Sequence, residues 1–240
     1  MKNPARGGGR WVEVAPERLP AWAKTFSGRH PDVTAEITGS DAVTFSSADG
    51  ASAECHLPFP PLVSGAPLPG GLPAGIAECA GLIAGHAQAA RTVGVLLVRL
   101  GGYAAGVFTG APPRLAASKV GSRLVHGRSA AGGTSQHRFA RRREKQAAQA
   151  MSAAADNAAA VFGQFGGGLD ALVLGGDRRA VTALRADVRL GPYFALATDR
   201  FLTVPDPRLA VLRDTPRMFQ AIRIRLTEPP EWADLNGPPE

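Results

Sequence analysis

Gln136 follows the glycine pair Gly132-Gly133 by three residues and opens a segment dense in arginine. A carboxamide does not ionise near neutral pH, so Gln136 is no general base. It accepts from and donates to a water or a ribose hydroxyl while backbone N–H groups stabilise developing oxyanion charge. Two glycines permit a narrow loop with unusual dihedrals that approaches a crowded reaction centre. Arg128, Arg138, Arg141, Arg142, Arg143 and Lys145 surround this point and suit phosphates. The same glutamine also suits a plain helix start, and any one arginine suits a solvated helix face.

The charge is local. Nine Lys/Arg and one acid, Glu144, lie between Arg114 and Lys145, a net of +8 in a chain of net charge +7, so the remainder sums to −1. Concentrated positive charge on a nearly neutral protein points to a polyanion partner. His126 and His137 sit in this segment and either assist proton transfer or add to the charge pattern.

The loop has to be carried by something. Thr134 or Ser135 can cap a helix over 137–165, and small or apolar residues recur at threes and fours through Ala140, Ala147, Met151, Ala154, Ala158, Val161 and Phe165. Gly166-Gly167-Gly168 ends it. A positive helix terminus beside Gln136 favours phosphate. Upstream, strands at 92–99 and 103–109 flank Gly101-Gly102, a hairpin signal, and 115–120 supplies a third, so the basic loop emerges from a sheet. Downstream, 169–174 is an apolar strand broken only by Asp170, 178–185 a helix, 201–204 a strand, 207–219 a helix that Pro216 kinks, and 221–227 a closing strand.

The first 58 residues read as a small α/β unit. After a disordered lead over 1–9 come a strand at 11–14, a helix at 16–26 with Trp22 and Phe26 on one face, and strands at 33–38, 42–46 and 51–57. Five prolines between Phe59 and Ala74 mark a linker over 59–74. A glycine-weakened helix over 75–90 then opens a catalytic domain at 75–228, and 229–240 is a proline-rich, acidic tail. The fold class is α/β of the α+β kind, a mixed sheet with packed helices.

Other chemistries lack their signatures. There is no GxxxxGK phosphate loop, and the surroundings of Ser135 lack the fifth glycine of a nucleophile elbow. Cys55, His56, Cys79 and His86 match no zinc spacing and fall in different expected units, so no metal or cofactor is expected. The two cysteines read as small buried thiols. The opening MKNPARGGGR has no apolar core for a signal peptide, and Arg99 interrupts the most apolar segment, so a cytoplasmic protein is expected.

The run from Gly132 to Lys145, GGTSQHRFARRREK, resembles the loop and helix of the central domain of archaeal and eukaryotic peptide-release factors, which read GGQS followed by RFAR and an Arg/Glu/Lys helix. It is more similar still to the Vms-like release factors, including their bacterial peptidyl-tRNA hydrolase branch, where the glutamine is displaced toward the helix. The resemblance spans 92–227 in expected topology and about fourteen residues in motif. It implies an RNase H-like core, and a hydrolase that frees the nascent chain on stalled large ribosomal subunits, with Gln136 catalytic beside Gly132 and Gly133. Large-subunit rRNA and peptidyl-tRNA are the implied partners of a monomer that has no membrane contact. Here Thr134 stands where the release-factor glutamine would be, which places the role on Gln136. Two alternatives remain: cleavage of the tRNA phosphodiester near its 3′ end, and a non-catalytic ribosome- or RNA-binding factor.

Overall fold

The computed structural model describes residues 3–4, 8–62, 75–99, 102–122 and 135–229, apart from the side chains of 3–4, 122 and 135–147. In chain order come β1 (Asn3–Pro4), β2 (Arg10–Val14), a 3₁₀ turn (Pro16–Arg18), α1 (Leu19–Arg29), β3 (Thr34–Thr38), β4 (Ala42–Ser46), β5 (Ser52–His56) and α2 (Ile76–Gln88). There follow β6 (Val93–Arg99), β7 (Gly102–Thr109), β8 (Arg114–Ser122), α3 (Ser135–Gly163), β9 (Ala171–Gly176) and α4 (Arg178–Leu184). A second 3₁₀ turn (Val188–Leu190), α5 (Gly191–Phe194), β10 (Ala197–Leu202), α6 (Leu209–Phe219) and β11 (Ile222–Thr227) complete the order. The architecture is α+β, in two compact units: Met1–Ala89 with Gln220–Glu240, and Ala90–Phe219.

In the first unit the strands lie in the order β1-β2-β11-β5-β4-β3, all neighbours antiparallel. Alternation sends Val14, Val43, Phe45, Ala53, Cys55, Ile222, Ile224 and Leu226 into one core with Leu19, Ala23 and Phe26 of α1 and Cys79, Ala80, Ile83 and Ala87 of α2. The sequence reading placed α2 and β11 in the second domain, whereas both are built into this core. The chain therefore returns to its first unit at its far end. Asn3–Pro4, expected within a disordered lead, pairs with Trp11 and Arg10. The linker expected over 59–74 lies mostly outside the described residues, but Phe59 and Leu62 at its start are buried.

The second unit has the strand order β10-β9-β6-β7-β8. β6, β7 and β8 form an antiparallel meander, and β9 runs parallel to both β6 and β10. β6 is buried on both faces, which is why it reads as an unbroken apolar run. Leu96, Val98, Ala105 and Val107 meet α3 and α4 on one side. On the other, Phe108 packs edge-on against Phe219 of α6 at 5.9 Å, and a Cβ on Gly106 would come within 2.8 Å of Leu212.

Pro216 lies inside α6 and has no N–H for the Leu212 carbonyl one turn earlier. The Thr215 hydroxyl donates to that carbonyl at 2.7 Å and leaves no orphaned acceptor in the core. Asp170, the break in the apolar run, accepts from the Thr92 amide at 2.7 Å and so precedes a strand that starts at Ala171. The expected strand at 201–204 is instead Ala197–Leu202, an edge strand with an irregular register whose polar first half hides it. The α5 turn was not foreseen.

Candidate functional site

β8 delivers the chain into the basic segment at Ser122, and α3 carries it away from Ser135. Arg128, Gly132 and Gly133, with His126 and Thr134, lie outside the described residues, as do the side chains of Gln136, His137, Arg138, Arg141, Arg142, Arg143 and Lys145. The backbone of the last group is described. Ser135 and Gln136, read from sequence as the end of the loop, are the first two residues of α3, a 29-residue helix. Gln136 thus sits in the first turn, among amides that have no intrahelical partner. Positions 138, 141, 142 and 145 follow it at i, i+3, i+4 and i+7 spacing on one continuous helix.

The opposite end of α3 holds it to the sheet. Ala154, Ala155, Ala158, Val161 and Phe162 are buried against β6 and β7, and Met151 and Phe165 are partly buried beside them. The alanine stripe is as expected from Met151 onward. The helix stops at Gly163, and Gly166 and Gly167 follow with φ of 55° and 85°, a left-handed turn open to glycine. Two polar contacts flank the stripe. Asp156 pairs with Arg189 at 2.9 Å, and Arg189 is also held by Asp187 through two hydrogen bonds. The Arg189 side chain holds the Asp187 carboxyl below the usual carboxylate range. Asn157 donates from Nδ2 to the Tyr103 hydroxyl at 2.6 Å and to the Ala153 carbonyl at 2.8 Å.

Tyr103 ties the end of β8 to the anchored half of α3. It pairs in register with Gly121, next to the last residue of β8, and its ring lies where a Cβ on Gly121 would stand. From there its hydroxyl reaches α3. Gly121→Ala is expected to push the ring aside and break the Asn157 bond, costing about 1–2 kcal/mol. In a Tyr103→Ala background the same change is expected to be nearly neutral, a non-additivity that thermal denaturation of the double-mutant cycle reads directly. Additive effects would mean that the ring does not depend on the missing side chain. Tyr103, Gly121 and Asn157 went unremarked in the sequence because only the pairing register brings them together.

The cysteine and histidine candidates are placed differently from expectation. Cys55 and Cys79 share one core, both free, and burial pushes the Cys79 thiol up to about 11 and the Cys55 thiol higher. His56 lies on the other side of β5 from Cys55, with Nε2 3.1 Å from Glu54. His86 Nε2 is 2.6 Å from the Phe59 carbonyl oxygen. No group of three metal-ligating side chains occurs among the described residues, and none of their helices is long and apolar enough to cross a membrane.

Residues 91–225, more than half of the chain, match the family described as the Actinobacteria/chloroflexi VLRF1 release factor. The matched span contains the meander, the basic segment, α3 and its anchors. No curated protein matches the chain.

Proposed function

The chain belongs to the Actinobacteria/chloroflexi VLRF1 release factor family, and on that premise we propose that it is a peptidyl-tRNA hydrolase of stalled large ribosomal subunits. The observation that carries this reading is the position of Gln136 in the first turn of α3, three residues after the glycine pair and just ahead of the basic run. That turn supplies unpaired amides and the positive end of a long helix dipole.

In the reaction, a water oxygen bonds to the carbonyl carbon of the peptidyl ester. The carbon–oxygen bond to the tRNA ribose breaks, and the ribose oxygen takes up a proton. Gln136 orients the water or the ribose 2′-hydroxyl, and backbone N–H groups stabilise the oxyanion as it forms. Gly132 and Gly133 permit the close backbone approach that entry into the peptidyl transferase centre requires. Arg128, Arg138, Arg141, Arg142, Arg143 and Lys145 hold phosphates of rRNA and tRNA. Activity on ribosomes makes this a cytoplasmic factor in ribosome-associated quality control. It needs no cofactor.

Incubating the protein with purified large subunits that carry a labelled nascent chain on tRNA tests the reading. The expected products are free peptide and a tRNA that keeps its CCA end. A shortened tRNA would instead assign phosphodiester cleavage to the same loop. Binding without any cleavage would make the chain a non-catalytic ribosome-binding factor.

A further inference from the structure

α4 turns Val181 and Leu184 into the core that it shares with α3, so both helices cover the same face of the sheet. Its other side is basic. Arg178 and Arg179 of α4 and Arg185 directly after it are exposed, no acid lies within α4 though Asp177 caps its start, and among the described residues none of the three makes an ion pair with a carboxylate. Several other described arginines meet acids, as in Arg225 with Glu54 at 2.6 Å, Arg189 with Asp156 at 2.9 Å and Arg217 with Asp214 at 2.9 Å, while Arg208 and Arg213 make no ion pair among the described residues.

Two of the α4 arginines are held in another way. The Arg178 guanidinium lies 4.2 Å from the centre of the Phe201 ring, and that of Arg185 lies 4.8 Å from the centre of Phe194. Stacking uses the flat face of a guanidinium and leaves its N–H edges free for an anion. The rings reduce the side-chain freedom that an exposed arginine otherwise loses when it binds. Arg178 and Arg185 are seven residues apart, two helical turns, so they project from nearly the same side roughly 10 Å apart along the axis.

We propose that the outer face of α4, with Arg178, Arg179 and Arg185, is a second phosphate-binding surface that grips an RNA backbone beside the segment reached by α3. It rests on the reading of the chain as a factor that engages ribosomal RNA. Phosphodiester oxygens match the charge and the exposed N–H edges of these side chains. Contact there fixes the protein on RNA at a point away from Gln136 and resists rotation about the axis of α3.

The test compares two triple variants of equal charge loss. One is Arg178→Gln/Arg179→Gln/Arg185→Gln. The other is Arg208→Gln/Arg213→Gln/Arg217→Gln, which strips arginines at and just before α6 on the opposite sheet face. Affinity for purified large-subunit rRNA is measured against salt, with circular dichroism as a check on folding. The α4 triple is expected to flatten the slope of log affinity on log salt by roughly 0.7–0.9 per lost contact, and the α6 triple to leave it unchanged. An unchanged slope for the α4 triple, or equal slopes for the two triples, overturns the proposal. If the α4 triple misfolds, Arg178→Gln and Arg185→Gln singly are each expected to flatten the slope by one contact. A protein that shows the α4-dependent slope but releases no peptide fails as a hydrolase and leaves this surface standing. One that releases peptide with no α4 dependence fails here alone.

Discussion

Gln136→Ala is expected to slow nascent-chain release by about 10²–10³-fold, equivalent to roughly 3–4 kcal/mol of transition-state stabilisation. Affinity for the large subunit should stay nearly constant. The two effects separate because the carboxamide contributes little binding surface beside an array of cationic side chains, and phosphate contacts dominate the affinity. In the proposed reaction its contribution is orientation, which matters only as the water oxygen closes on the carbonyl carbon. The change should therefore appear in kcat with KM unmoved, the pattern of an interaction made only in the transition state. Ala also keeps the helix start intact, since it has the highest helix propensity and removes no backbone donor. Single-turnover release from purified stalled subunits, with binding followed in parallel, checks it. Equal release by variant and wild type would transfer the role to Thr134 or to the loop backbone. A loss of binding in step with release would make Gln136 a contact residue instead.

Much of the second unit could be read from periodicity because its elements are extreme cases. Residues 93–98 are apolar throughout since both faces of β6 are covered, and the stripe from Met151 to Val161 repeats at helical spacing since β6 and β7 lie beneath it. The basic segment was legible because its charge stands out against an almost neutral chain. What escaped depends on contacts distant in sequence. β11 alternates as a strand of either unit would, and nothing in Ile222–Thr227 states that its neighbours are β2 and β5. Glycine-rich α2 reads equally as a helix of either unit until Cys79 and Ile83 are seen against Ile222. β10 was shifted because Thr198, Asp199 and Arg200 interrupt its apolar signal at an edge where burial is not required. At the proposed site, the motif residues stand out in the sequence alone. The Tyr103 to Asn157 bond spans 54 residues and has no local sign. The rings of Phe201 and Phe194 beneath Arg178 and Arg185 come from distant elements and have no local sign either.

Gly176→Ala is expected to destabilise the second unit by about 3 kcal/mol or more, far beyond the Gly121 substitution. Gly176 ends β9 with φ of 98°, a conformation that costs a residue with a Cβ on its own account. A Cβ there would also strike the Val98 carbonyl oxygen, with the Val98 carbonyl carbon 2.9 Å away. At Gly121 the obstacle is the free end of a tyrosine ring, which can swing toward solvent. At Gly176 it is backbone of β6, a strand buried on both faces and paired on both edges, and the same carbonyl accepts the Asp177 amide at 2.7 Å. Asp177 in turn caps α4 by accepting from the Arg179 amide at 2.8 Å. Relief of the clash therefore has to separate β9 from β6 or withdraw the start of α4. Calorimetry should show the unfolding midpoint of this unit lowered by roughly 10 °C. A drop smaller than about 1 kcal/mol would show that the junction relaxes freely. Because Gly176 and Asp177 set where α4 begins, the residual folded protein should also lose part of the salt-dependent RNA affinity assigned to Arg178, Arg179 and Arg185. Its single-turnover release rate at saturating protein and low temperature should stay near wild type, since α3 is also held to β6 and β7 through Ala154 and Ala158 and to Tyr103 through Asn157. That split, binding weakened and chemistry retained, is the reverse of the one expected for Gln136→Ala.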